Sequence, residues 1–343
     1  MISWSLRLHK FEVHKTGQNI LARIIIVAYN SGNDLQNCLN ALEAQSDRRF
    51  EVVIVDNASP DKCVQALGTL PSYVTVITSI NNLGFAAGCN LGARGAQTQW
   101  LITLNPDTIP NPDWFHELSL CWARDGRVDL WGCKQLNAQR PDVLDGFGDV
   151  LSIFGMAWRG GYGQPAESAP YRDVRIFGPC AAAAAYKRQT YEHLGGFDPA
   201  YFCYLEDVDL AMRFNLAGKT SRIAHKAIVH HVGGTSTAAQ PEFPIFQASK
   251  NNVYFLIKTL PIFWLVICLP LFFTIQLWVR FRNRKDGYHD ARVSGHKAGR
   301  KLWALAWKNR KTVERRAFSG FRLWPIMCKS YFKFRKRALF YTA

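Results

Sequence analysis

The 343-residue chain has no Cys-x-x-Cys pair, and its nine cysteines are scattered and odd in number. That excludes a disulfide framework and a structural zinc site; reduced, cytoplasmic thiols are the simpler account. No Gly-x-Gly-x-x-Gly follows the first apolar run, so a hydride-transfer dinucleotide fold lacks its phosphate loop. The N-terminal stretch Met1 to Lys15 alternates polar and apolar residues without an apolar core of signal length, and no secretory signal is expected. Acid is scarce in one region only. Residues 280–343 hold 19 Lys and Arg against Asp286, Asp290 and Glu314, whereas residues 1–279 hold 23 charges of each sign. The formal charge of +16 therefore belongs to a tail, not to the fold.

What is present points to a packed α/β domain. Hydrophobic residues make up 48% of the chain, enough for a substantial core. Arg23 to Asn30 is a β-branched apolar run with a polar end, the pattern of a strand buried on both faces. Asp34 to Gln45 sets Leu35, Cys38, Leu39 and Leu42 at helical spacing. A second buried strand spans Phe50 to Asp56, a helix is expected near Asp61–Leu70, and a third strand at Val74–Ile77. This alternation predicts a doubly wound, mostly parallel sheet. From about Arg124 to Phe177 the pattern is irregular and suggests substrate-facing loops. Regular structure resumes at Gly178, with a helix from about Leu205 to Ala217 that Gly218 would end.

In such sheets ligands sit beyond the carboxyl ends of the strands. The residues to weigh are therefore Tyr29 and Asn30, Asp56 and Asn57, and Asn105 with Asp107. Asp107 ends the apolar run Trp100 to Leu104 on a Pro-containing turn, where one carboxylate can hold a hard divalent cation together with phosphate oxygens. Asn-Pro-Asp is also an ordinary turn sequence. Glu206, Asp207 and Asp209 crowd a helix start; there they complement the helix dipole, and Asp209 pairs with Arg213 at i,i+4. A carboxylate among other acids can instead have a raised pKa and take a proton from a hydroxyl. His230 and His231 end an apolar run before Gly233, Gly234, Thr235, Ser236 and Thr237. They alternate faces, so one imidazole at most enters a given site, and His231 is the choice.

Taken in order across residues 24–237, IIIVAYNS, VIVDNAS, NNLGFAAGCN, LNPDT, GGFDPAYFCYLEDVDLAMR and HHVGGTST give a sequence that resembles glycosyltransferase family 2, in its rhamnosyltransferase-like branch of bacterial surface-polysaccharide assembly. The resemblance implies a GT-A fold, a nucleotide-sugar donor, a divalent cation (Mg²⁺ or Mn²⁺) and inversion at the anomeric carbon. By motif position, Tyr29 and Asp56 with their neighbours Asn30 and Asn57 would meet the donor, and Gly84, Phe85 and Asn90 would shape its pocket. Asp107 would bind metal with Asn105 standing where the family's first Asp often sits. Asp207, in the Glu206–Asp207 pair, would be the general base, and His231 a metal or diphosphate ligand.

Three regions follow: a lead-in at 1–20, a catalytic domain at 21–255, and a tail at 256–343. Leu260 to Val279 carries no charge, spans about one bilayer crossing and is interrupted by Pro261 and Pro270. The basic tail beyond it interleaves Trp303, Trp307, Phe321, Trp324, Tyr331, Phe332 and Phe334, as an interfacial segment on anionic lipid would; a nucleic-acid partner is not expected. These features anticipate a protein at the cytoplasmic face of the inner membrane, with membrane lipid as a partner. A dTDP- or UDP-sugar is the expected donor and a polyprenyl-diphosphate-linked glycan the expected acceptor. Two alternatives stay open: a hexosyl- or N-acetylhexosaminyltransferase using a UDP-sugar, and a catalytically inactive membrane-attached scaffold of the same fold.

Overall fold

A computed structural model describes residues 19–152, 155–234, 240–282 and 287–313. Residues 1–18 of the lead-in, Thr235 to Thr237 of the histidine loop, and the aromatics Phe321, Trp324, Tyr331, Phe332 and Phe334 lie outside the described residues. The chain opens with β1 (Ala22–Ala28), α1 (Asp34–Glu43), β2 (Phe50–Asp56), β3 (Val74–Thr78), α2 (Gly84–Ala93), β4 (Trp100–Leu104), β5 (Thr108–Pro110) and α3 (Trp114–Arg124). Next come β6 (Leu130–Asn137), β7 (Leu144–Gly146), β8 (Asp149–Leu151), β9 (Ala157–Arg159), β10 (Val174–Arg175) and β11 (Ala183–Lys187). The rest comprises α4 (Arg188–His193), α5 (Glu206–Leu216), β12 (Ser221–His231), α6 (Glu242–Thr259), α7 (Ile262–Arg282), α8 (His289–Lys301) and α9 (Trp303–Arg310).

The main sheet runs β10-β12-β6-β11-β4-β1-β2-β3. The pairs β1–β2, β1–β4, β2–β3 and β6–β12 are parallel, and β11 lies antiparallel between β4 and β6. Reversing direction twice through β11 leaves β3, β2, β1, β4, β6 and β12 pointing the same way, so their carboxyl ends share one edge. Period-2 alternation supplies both faces. Ile24 and Ile26 pack with Leu35, Leu39, Phe115 and Leu118, while Ile25 and Val27 pack with Cys89, Val208 and Met212 on the other side.

The structure departs from expectation in two segments ahead of α6. The helix expected near Asp61–Leu70 is a single 3₁₀ turn at Gln65–Leu67. Left-handed backbone at Lys62 (φ 53°) and Gly68 (φ 68°) brackets it, and the Asp61 carboxylate accepts from the Gly32 and Cys63 amides instead of capping a helix. The stretch 124–177, expected to be irregular, contains the eight-residue central strand β6, whose apolar run is broken in sequence by Lys134 and Gln135.

The C-terminal helices are packed onto the same core. α6 runs unbroken through position 255, so no element boundary falls there. α8 crosses α6 closely because Gly295 and Gly299 lack side chains: a Cβ on them would lie 2.5 Å from the Phe246 carbonyl oxygen and 2.6 Å from that of Lys250. α7 buries Trp264, Leu265, Cys268 and Phe272 in the core and exposes Ile262, Val266, Ile267, Leu277, Trp278 and Phe281. Among the described residues, no helix is long and apolar enough to cross a membrane.

Candidate active site

The carboxyl ends of β1, β2, β4 and β12 open into one cleft of about 610 Å³. Its lining includes ten of the twelve residues singled out from the sequence: Tyr29, Asn30, Asn57, Gly84, Phe85, Asn105, Asp107, Glu206, Asp207 and His231. Asn57 ties the donor-side loops together. Its side chain accepts from the Leu83 amide at 2.8 Å and donates to the Asn82 side chain at 2.9 Å. Gly84 begins α2 at φ 78°, and a Cβ there would lie 2.5 Å from both the Phe202 carbonyl oxygen and its ring, so only glycine lets this turn meet residue 202.

Two of the twelve do not reach the cleft. Asp56 accepts from the Ser59 amide and from Gln65, closing the loop after β2. Asn90 bonds both the amide and the carbonyl of Phe197 and accepts from the Tyr191 hydroxyl, so it fastens the Gly196–Phe197 turn. The expectation that Asn90 shapes the donor pocket is corrected accordingly: its side chain is already used by that turn.

The acid pair is delivered by a strained turn. Phe202, Tyr204 and Leu205 all have φ between 65° and 69°, a region that costs a non-glycine residue about 1–3 kcal/mol. Asn251 of α6 offsets this by donating to the carbonyls of Tyr201, Cys203 and Tyr204 at 3.0, 2.8 and 2.7 Å. Glu206 is buried and its Oε2 has no hydrogen-bond partner; burial first, then the neighbouring Asp207, pushes its carboxyl well above the usual range. Burial raises Asp207 as well, opposed by the Ala181 amide (3.1 Å), the Val208 amide (2.8 Å) and the charge of Arg159. Of the two, Glu206 holds its proton more firmly and Asp207 is the better-stabilised carboxylate. Asp209, by contrast, is wholly buried away from the cleft, paired with Arg213 at 2.7 Å and Lys258 at 2.8 Å.

Across the cleft, the buried His231 ring lies between two carboxylates. Its Nδ1 is 2.7 Å from Asp145 and its Nε2 is 3.3 Å from Asp107. Burial pulls the imidazole pKa down, but the two facing carboxylates, Asp107 and Asp145, outweigh it and raise the value to about 9. No group of three or more His, Cys, Asp or Glu that could hold a metal occurs among the described residues. A divalent cation fits Asp107 and Nε2 nonetheless: Nε2 is buried without a hydrogen-bond partner, and one or two protein donors suffice when phosphate oxygens supply the rest. Sequence reasoning missed Asp145 and Arg159, which lie on three-residue strands within a stretch that showed no periodicity, with no motif to mark them.

The fold and cleft define a mixed α/β, GT-A-like protein with a mostly parallel sheet. Among solved structures, S. aureus TarS 1-349 in complex with UDP-GlcNAc superposes with a TM-score of 0.54 at 16% identity, covering 85% of this chain and 88% of that one. GalNAc-T7 with UDP, GalNAc and Mn²⁺ gives 0.54 at 17% identity, over 70% of this chain and 48% of its own. Residues 23–136 match the model described as Glycosyl transferase family 2. Two relatives illustrate the similarity. The N-acetylglucosaminyl-diphospho-decaprenol L-rhamnosyltransferase of Mycobacterium tuberculosis is 28% identical over 257 residues, 68% of this chain and 83% of the relative. The uncharacterized glycosyltransferase YfnE of Bacillus subtilis is 36% identical over 269 residues, 61% of this chain and 64% of the relative.

Proposed function

We propose that the chain moves a sugar, with rhamnose favoured, from a nucleoside-diphosphate donor to a hydroxyl of a lipid-linked or surface-polysaccharide glycan, inverting the anomeric carbon. The observation that carries this is the meeting of two unlike pairs in one cleft: Glu206 with Asp207, and Asp107 with His231. The similarity to the mycobacterial rhamnosyltransferase supports the donor sugar and an acceptor bearing a polyprenyl diphosphate.

In the proposed step the acceptor hydroxyl gives its proton to Asp207, and its oxygen forms a bond to the anomeric carbon as the bond to the diphosphate oxygen breaks. Asp207 has two backbone amides and Arg159 to keep it anionic until then; Glu206, protonated, adds no second negative charge beside the nucleophile. Tyr29, Asn30, Asn57, Gly84 and Phe85 line the donor side, and Asp107 and Nε2 of His231 would hold the divalent cation, with Asn105 beside them. That cation, Mg²⁺ or Mn²⁺, would supply positive charge beside the departing diphosphate.

Membrane association belongs to the same proposal. The exposed side of α7 is apolar, and Arg300 of α8 lies with its guanidinium 5.9 Å from the Phe273 ring, so basic charge borders that surface. Nucleoside diphosphate release, measured with a panel of dTDP- and UDP-sugars in membranes carrying lipid-linked acceptor, tests the catalytic proposal. One donor should turn over in wild type and fail in Asp207→Asn. Equal behaviour of the two proteins across the panel would refute the role given to Asp207.

A further inference from the structure

We infer that Asp145 is the positioning residue of the cation site, holding the His231 ring so that Nε2 is turned to Asp107. The inference rests on the proposed role of His231 as a metal ligand and adds a residue with no counterpart in the motifs.

The path from sequence to geometry runs through a β-bulge. On β7, Leu144 pairs with Leu136 and Gly146 with Gln135, so two adjacent residues of β6 face residues two apart on β7, and Asp145 is the extra one. Bulges re-aim a side chain and concentrate beside active sites. Here the re-aimed carboxylate meets the end of β12, 86 residues away in sequence. His231 itself pairs with Asn137 of β6. Asp145 is 5% exposed, and a carboxylate that deep persists only with partners. One oxygen, Oδ2, serves both of them: the Arg159 guanidinium of β9 from one side and Nδ1 of His231 at 2.7 Å from the other.

The bond fixes more than the position of the ring. With Nδ1–H donating to Asp145, the ring cannot turn over without breaking that bond, and Nε2 stays 3.3 Å from Asp107, where a cation that displaces the Nε2 proton would meet its lone pair. A carboxylate on the far nitrogen of a ligating histidine orients the ring and raises its basicity, and its loss typically costs about 10–100-fold in metal affinity. Arg159 is a second anchor on the same Asp145 oxygen and restrains the carboxylate further.

The test is Mn²⁺ binding to the full-length protein, followed by electron paramagnetic resonance, with spin-echo modulation reporting any directly bound imidazole nitrogen. Wild type should show nitrogen modulation, and His231→Gln should lose it. Asp145→Ala should weaken Mn²⁺ binding about 10–100-fold and diminish the modulation. Asp145→Asn, close in shape and still able to accept from Nδ1–H, should fall between. Thermal unfolding of each variant separates a displaced ring from a protein that has not folded: the proposal requires Asp145→Asn to melt cooperatively yet bind Mn²⁺ more weakly than wild type. Wild-type affinity and modulation in both Asp145 variants, with His231→Gln defective, would overturn this inference alone. Absence of modulation in wild type, or its persistence in His231→Gln, would overturn the metal-ligand role of His231 and this inference with it.

Discussion

Glu206 and Asp207 are adjacent in sequence but answer to different surroundings, one without a partner for Oε2 and the other held by two backbone amides. A general base must be deprotonated, so activity should fall as pH drops through the raised pKa of Asp207, with the acid limb of kcat/KM lying above the usual carboxylate range. Asp207→Asn should lower kcat about 10²–10⁴-fold with donor binding retained, which a pH-rate series and single-turnover assay can check. Gly84→Ala makes a second case at this scale: its Cβ would press on the Phe202 carbonyl at a positive φ, so a loss of about 1–2 kcal/mol and weaker donor binding are expected, read by urea unfolding and nucleotide titration. Asp107 and His231 end apolar runs and could be singled out because the fold sends strand ends to one edge, whereas Asp207 stood out by the acids crowded at a helix start. Asp56 also ends an apolar run, yet its side chain serves the loop after β2. Asp145 and Arg159 were not legible, since strands of three residues leave no period to read.

Among the elements, α6 does work that its sequence conceals. Asn251 and Lys258 are polar residues on a helix, yet Asn251 is fully buried and Lys258 nearly so. Lys258 reaches Asp198 at 2.7 Å and Asp209 at 2.8 Å, and its ammonium lies 5.5 Å and 5.9 Å from the Tyr201 and Tyr254 rings. It thereby joins α6 to α5 and to the turn that leads into the acid pair. Removing one partner of a buried ion pair costs about 3–5 kcal/mol; since Arg213 still faces Asp209, Lys258→Met should destabilise the protein by about 3 kcal/mol. The pH dependence follows from Asp198. Burial pushes its carboxyl up, but Lys258 and the Ala200 amide hold it below its ordinary value, so its contribution is present above that value and is lost as pH falls through the lower folded pKa. In Lys258→Met the loss should begin at higher pH, visible as an earlier fall of melting temperature on acidification. The parallel strands were readable because they are continuous apolar runs; β6 and α6 were not, because polar residues that tertiary contacts bury look exposed in a linear pattern.

At the scale of the whole molecule, the question is how an apolar helix and a basic tail combine with a cleft facing a nucleotide sugar. α7 has 21 residues, about 31 Å of helix, which by length alone matches a bilayer. Crossing one would require Trp264, Leu265, Cys268 and Phe272 to leave the core they share with Val208 and Met212 of α5, and the side chains left behind would face water at about 1.5–3 kcal/mol for each large one uncovered. Lying in the interface keeps that packing and presents only the outer face, where Val266 is 68% exposed and Leu277 51%. Exposed Lys297, Arg300, Lys301 and Lys308 on the neighbouring helices would then add an attraction to anionic lipid that salt screens. The double substitution Val266→Glu with Leu277→Glu should therefore abolish flotation with phosphatidylglycerol vesicles while leaving the melting temperature close to wild type, because neither side chain is packed. Wild-type flotation should weaken as salt rises from 0.05 to about 0.5 M. Should the double variant float as wild type does, α7 is not the docking face. Should it unfold, these side chains are covered in solution by protein, and the surface belongs to an interface between chains.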